Sequence, residues 1–211
     1  MALIQSMENQ GNLLFKYRGQ FPIFLFFLSL PFIYTTDYKS ISESLQTNLL
    51  YCAIVLSFLG FLVRFYTIGT TPEGTSGRNT NKQVAEVLNS TGMYSMLRHP
   101  LYLGNYLIWV GIAIATLNVY FIVIMSLFFW LYYERIMFAE ERFLENKFGD
   151  DFFTWSNNIP AFIPSVFSFK KSEIPFSVIS VLRREYAGVF ATVIGFCFVE
   201  LFRTYFTYQI W

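Results

Sequence analysis

Apolar positions in this chain come in blocks, without the period of a half-buried helix or the alternation of a strand. The runs 21–34, 48–68, 101–117, 119–137 and 187–202 approach or reach the ~17 to 25 residues that cross a hydrocarbon core. They predict five transmembrane helices in an all-α, polytopic fold. The first run is the shortest and holds Pro22 and Pro31, so a reentrant or kinked segment competes there with a full span. A cleaved leader fits poorly, because "IYTTDYKS" offers no small-x-small site.

Polar sequence collects in two blocks. The first, 69–92, is rich in Gly, Thr and Asn and predicts a loop with one short helix at 83–88. The second, 134–186, continues out of the fourth run with Phe138, Phe143, Leu144 and Phe148 among charges, the pattern of an amphipathic helix at a membrane surface. Gly149 is placed to cap it, and Pro160, Pro164 and Pro175 then break the chain into turns. In the last run Ala187, Gly188, Ala191 and Gly195 share a helix face, which predicts close packing on a neighbour.

Composition agrees: 55% of the 211 residues are hydrophobic and 14% charged, which excludes an ordinary soluble domain. The whole chain reads as one integral membrane domain, 1–211, with a motif-bearing core at 92–164 and a last span at about 187–205. Charge sets the orientation. With the N-terminus inside, 13 of the 15 Lys and Arg fall on the cytoplasmic side, and only Lys39 and Arg203 fall opposite. Net charge is +1, so nothing points to nucleic acid. The short chain leans toward a bacterial inner membrane over the endoplasmic reticulum. Oligomeric state has no signature. Cys52 and Cys197 lie in apolar runs without CxxC spacing and there is one histidine, so both read as packing residues and no metal site is expected. The sequon at Asn89 falls in a loop assigned to the cytoplasm and reads as chance.

Between the third and fourth runs only "LNV" is left for a turn, which dictates a tight antiparallel hairpin. Arg98 lies 20 residues before Asn118 and Glu140 22 after it. At ~1.5 Å per residue both stand about 30 Å from the tip. The hairpin therefore brings Arg98 and His99 beside Glu140 and Glu141 where two spans end. Each has a plain alternative, since Arg98 can anchor to phosphates and Pro100 suits a first helical turn. Together they make a polar pocket with apolar walls, suited to an amphiphilic ligand.

These residues carry a resemblance. Gly92, Tyr94, Arg98, His99, Pro100, Tyr102 and Gly104 fit the G-x-Y-x-x-x-R-H-P-x-Y-x-G pattern of the isoprenylcysteine carboxyl methyltransferase family and the related phospholipid N-methyltransferases. "EERFLENKFGDDFFTWSNNIPAFIP" resembles the family's second motif through Glu140, Glu141, Leu144, Phe148, Gly149, Pro160, Ile163 and Pro164. Phe152 or Phe153 and Trp155 stand where the family has tyrosines, and Ile159 where it has valine. The resemblance implies a membrane enzyme that binds S-adenosylmethionine at the cytoplasmic ends of its helices and methylates a lipid-like or prenylated acceptor from the bilayer. It makes Glu140 and Glu141 candidates for the donor's amino group or hydroxyls. His99 and backbone N–H groups before Pro100 become candidates for its carboxylate. Tyr102 and Tyr106 are candidate walls, and Gly104 would allow close approach, though helix packing alone also explains it.

Arg98 matches an anionic acceptor, whereas an amine acceptor would need one of the two Glu to take its proton. Both chemistries stay open, as does a nicotinamide-dependent membrane reductase of similar helix arrangement. Lys170 and Lys171 read first as contacts to a phospholipid surface.

Overall fold

A computed structural model of the chain describes residues 2–72 and 83–208. Arg78 and Lys82, two of the cations assigned to the cytoplasmic side, lie outside the described residues. Among the described residues seven α-helices follow in order: α1 Ala2–Lys16, α2 Phe21–Thr35, α3 Glu43–Gly69, α4 Pro100–Ala115, α5 Val119–Phe148, α6 Asp150–Ser156 and α7 Val178–Tyr208. The only extended pairing among the described residues is one antiparallel bridge between Gly92 and Lys170.

Helices α3, α5 and α7, of 27, 30 and 31 residues, are long and apolar enough to cross a membrane. In α3 only 17% of the most apolar stretch is buried within the protein, so most of that surface requires an apolar solvent. The protein is an integral, polytopic membrane protein. Of the five predicted spans the first is the shortest, and α2 and α4 have 15 and 16 residues. At ~1.5 Å per residue they extend about 23 Å, less than a typical hydrocarbon core. Pro31 lies inside α2 without ending it.

Four local expectations are corrected. No helix forms at 83–88; the chain there is irregular, with Ala85 buried. Cys52 and Cys197 are exposed on apolar helices instead of packed inside. Of the small residues on α7 only Gly195 is buried, against Ile112 and Phe26, while Ala187, Gly188 and Ala191 face outward. Finally, α1 forms where the sequence pattern predicts no element.

The chain divides into two compact units. The first comprises Met1–Gly19, Leu62–Leu103 and Trp130–Tyr186 and holds nearly all the polar sequence. Within it α1 lies on α5: Tyr132 donates to the Leu14 carbonyl at 2.8 Å, and a Cβ at Gly11 would run into the Arg135 carbonyl. The second comprises Gln20–Phe61, Gly104–Phe129 and Ala187–Trp211. Its core is Ile33, Tyr38, Ala53, Ala115 and Val199. Tyr38 donates to the Thr116 carbonyl at 3.0 Å, and Leu117 takes a positive φ of 56° in the turn between α4 and α5.

Candidate active site

The site belongs to the first unit. Pro100 opens α4 at its first turn, where a missing N–H costs nothing, and this sets His99 and Arg98 at the lip of the helix. Facing them, α5 runs unbroken through Glu140 and Glu141 to Phe148, where Gly149, at φ 53°, ends it and starts α6. Glycine reaches that positive φ without a Cβ clash.

His99 is the centre. Its side chain is 3% exposed; Nε2 lies 2.8 Å from Glu141 Oε1 and Nδ1 3.5 Å from Glu140 Oε2. Burial alone would lower the imidazole's pKa, but hydrogen bonds to Glu140 and Glu141 and their charges outweigh it and raise it above the ordinary value. The Tyr102 ring stacks on the imidazole with centroids 5.6 Å apart and leans on Tyr133 at 4.8 Å. Arg98 Nη1 donates to the Ser156 carbonyl at 3.2 Å. Its Nε lies 3.1 Å from Glu141 Oε1 yet is buried without an aligned acceptor among the described residues.

The second motif joins the cluster through its backbone. The N–H groups of Arg98 and His99 donate to the carbonyls of Pro160 and Ala161 at 2.9 and 3.1 Å. Trp155 Nε1 donates to the Tyr94 carbonyl at 3.0 Å, so the indole makes a polar contact of its own at a position where the motif has a tyrosine.

Thus Arg98, His99, Pro100, Tyr102, Glu140 and Glu141 come together in one unit as the hairpin requires. Two expected roles do not survive. The backbone N–H groups before Pro100 are already bonded, and both ring nitrogens of His99 face carboxylates, so neither is available to a ligand carboxylate. Gly104 falls in the second unit, where its carbonyl packs close to Gly60. Tyr106 is there too, donating to Ser126 Oγ at 3.2 Å.

One pair escapes the sequence pattern. Arg64 of α3 donates from both Nε and Nη2 to Glu185 of α7 at 2.7 Å, and from Nη1 to the Leu101 carbonyl at 3.2 Å. The isolated charge in the apolar run 48–68 was a signal that Arg64 needs a counter-ion, but no spacing identified it.

The donor set suits a zwitterionic ligand. The side chains of Glu140, Glu141 and Arg98 are 33%, 27% and 22% exposed, so groups of both signs reach the surface of the cluster.

A family model for phospholipid methyltransferases matches residues 48–151, which include this whole cluster. Over that stretch, just under half of its length, the chain is similar to that family. It is also 31% identical to a protein-S-isoprenylcysteine O-methyltransferase of Saccharomyces cerevisiae over 134 residues, 62% of this chain and 55% of that protein. A nickel-cobalt-cadmium resistance protein, NccN, of Alcaligenes xylosoxydans xylosoxydans is 34% identical over 45% of this chain and 42% of its own length. The isoprenylcysteine O-methyltransferase of Schizosaccharomyces pombe is 25% identical over 58% and 55%. The chain spans about half the length of these curated relatives. No solved structure matches it.

Proposed function

We propose that the chain is a single-domain membrane methyltransferase that uses S-adenosylmethionine and acts on an amphiphilic, prenylated or lipid-like acceptor at the cytoplasmic face of the membrane. The observation that carries this reading is the Arg98–His99–Glu140–Glu141 cluster inside the matched region. When bound, the donor supplies a methyl group on a cationic sulfur, open to in-line displacement by an acceptor lone pair.

The protein's part is to bind and orient. Glu140 and Glu141 hold the donor's ammonium and hydroxyls through charge-assisted hydrogen bonds. His99, whose cationic form both acids favour, lies between them. Arg98 offers its planar guanidinium to an acceptor carboxylate. A carboxylate acceptor arrives without a proton, so O-methylation needs no base. An amine acceptor must lose one, and Glu141 is then the acceptor of that proton. Identity to O-methyltransferases and the planar fork of Arg98 favour the carboxylate; the phospholipid methyltransferase match keeps the amine as the second reading.

The test is to incubate the reconstituted protein with methyl-labelled S-adenosylmethionine and either a farnesylated cysteine or phosphatidylethanolamine. Base-labile label on the farnesyl compound is expected, as a methyl ester gives. Base-stable label on the phospholipid would select the amine reading, and label on neither acceptor contradicts both.

A further inference from the structure

Segment 160–170 is fastened at both ends to the motif-bearing stretch 92–99. At one end lie the Arg98 and His99 bonds to Pro160 and Ala161, followed by Ser165 N–H donating to the Met96 carbonyl at 2.9 Å. At the other, Lys170 N–H donates to Ser95 Oγ and Gly92 N–H to the Lys170 carbonyl, both at 2.8 Å. Phe162 turns inward onto Trp130, with ring centroids 4.7 Å apart. Between the fastenings the chain makes one tight turn, Val166–Ser168, closed by Ser168 N–H on the Ser165 carbonyl at 3.1 Å and by the two serine hydroxyls at 2.9 Å.

That geometry leaves the apolar side chains nowhere to fold back. Phe167 is 99% exposed, Ile163 78% and Val166 62%. Three large apolar side chains presented by a backbone bonded on both sides are unfavourable in water and favourable in an acyl phase. Lys170 and Lys171 follow at once, both exposed, and the same mixture continues into the start of α7 with exposed Val178, Ile179, Leu182 and Arg183. Helix α7 is itself long and apolar enough to cross a membrane, so the loop is continuous in sequence with a lipid-facing element. Apolar side chains followed by cations are the composition of a segment seated where headgroups meet acyl chains, the cations reaching anionic phosphates.

We propose that the Val166–Ser168 turn is a membrane wedge: Ile163, Val166 and Phe167 enter the acyl region of the adjoining leaflet, and Lys170 and Lys171 pair with anionic lipid headgroups. Because the same loop is hydrogen-bonded to Met96, Arg98 and His99, the wedge fixes the depth of the RHP motif relative to the bilayer. The proposal does not depend on which acceptor is methylated, nor on methyl transfer at all.

The test uses the full chain with C52A and C197A, reconstituted into vesicles of phosphatidylcholine and phosphatidylglycerol, and one nitroxide at F167C, V166C or E173C. Labels at 166 and 167 should relax readily with oxygen and lose most of the broadening by an aqueous nickel chelate, while the label at 173 does the reverse. Two positions guard against one variant failing to fold. Nickel access at 166 and 167 equal to that at 173 overturns the wedge. Shielding from both reagents also overturns it, because a protein partner would then cover the turn. Adding K170Q and K171Q should move the 167 label toward nickel access in these anionic vesicles; no movement removes the headgroup pairing.

Discussion

His99 touches both acids at once, which makes it the residue most exposed to pH. Its pKa in the folded protein is raised above the ordinary 6.5, so the stabilisation from its charged form is complete below about pH 6.5 and is lost as pH rises through the folded value. The parent's melting temperature in detergent should therefore fall on raising pH from 6, and His99→Gln should flatten that dependence; an unchanged slope in the variant would contradict the assignment. Arg98→Lys keeps the charge but removes the planar fork. Turnover should drop by ~100-fold, the scale of a misplaced reactant, with little change in donor affinity. Near-parental turnover would make Arg98 an anchor only. The identities of these four residues were legible in sequence, because a short turn forces α4 and α5 into register. Their hydrogen-bond state was not: that Pro160 and Ala161 consume the N–H groups before Pro100 depends on a segment some sixty residues away.

At the scale of elements, the Arg64–Glu185 pair ties α3, α7 and the first turn of α4, with side-chain exposures of 18% and 4%. Removing one partner of such a pair strands a charge. Glu185→Ala should destabilise the protein by on the order of 3 kcal/mol, read as a lower midpoint in an unfolding titration with dodecyl sulfate. Arg64→Met with Glu185→Leu should recover much of the loss; equal midpoints for Glu185→Ala and the parent would show that the pair carries no stability. Helix α1 was invisible in the pattern because it has no apolar run. What fixes it is contact with α5 at Gly11 and Leu14, and Gly11→Ala should loosen it and raise its protease sensitivity. The long helices were legible since lipid, unlike water, demands uninterrupted apolar sequence. α2 is as short as its apolar run, ending at Thr35, and α4 stops at Ala115, just before the Leu117 turn.

For the whole molecule, the charge count is the main argument for orientation. Among the described residues, Lys39 and Arg203 are the cations of the second unit, and the rest fall in the first. A cysteine at Ser44 should react with an impermeant reagent in intact cells, and one at Asp151 only after the inner face is opened; the reverse pattern would invert the protein. The central claim is that the first unit holds a methyl donor on Glu140 and Glu141. Isothermal titration of the purified protein with S-adenosylmethionine, and with NADPH as the competing cofactor, tests it most directly. The account predicts saturable heat with S-adenosylmethionine alone, weakened about tenfold or more in Glu140→Gln and in Glu141→Gln by the loss of a charge-assisted hydrogen bond of ~1.5 to 3 kcal/mol. Parental affinity in both folded variants, or binding of NADPH in place of S-adenosylmethionine, would contradict it.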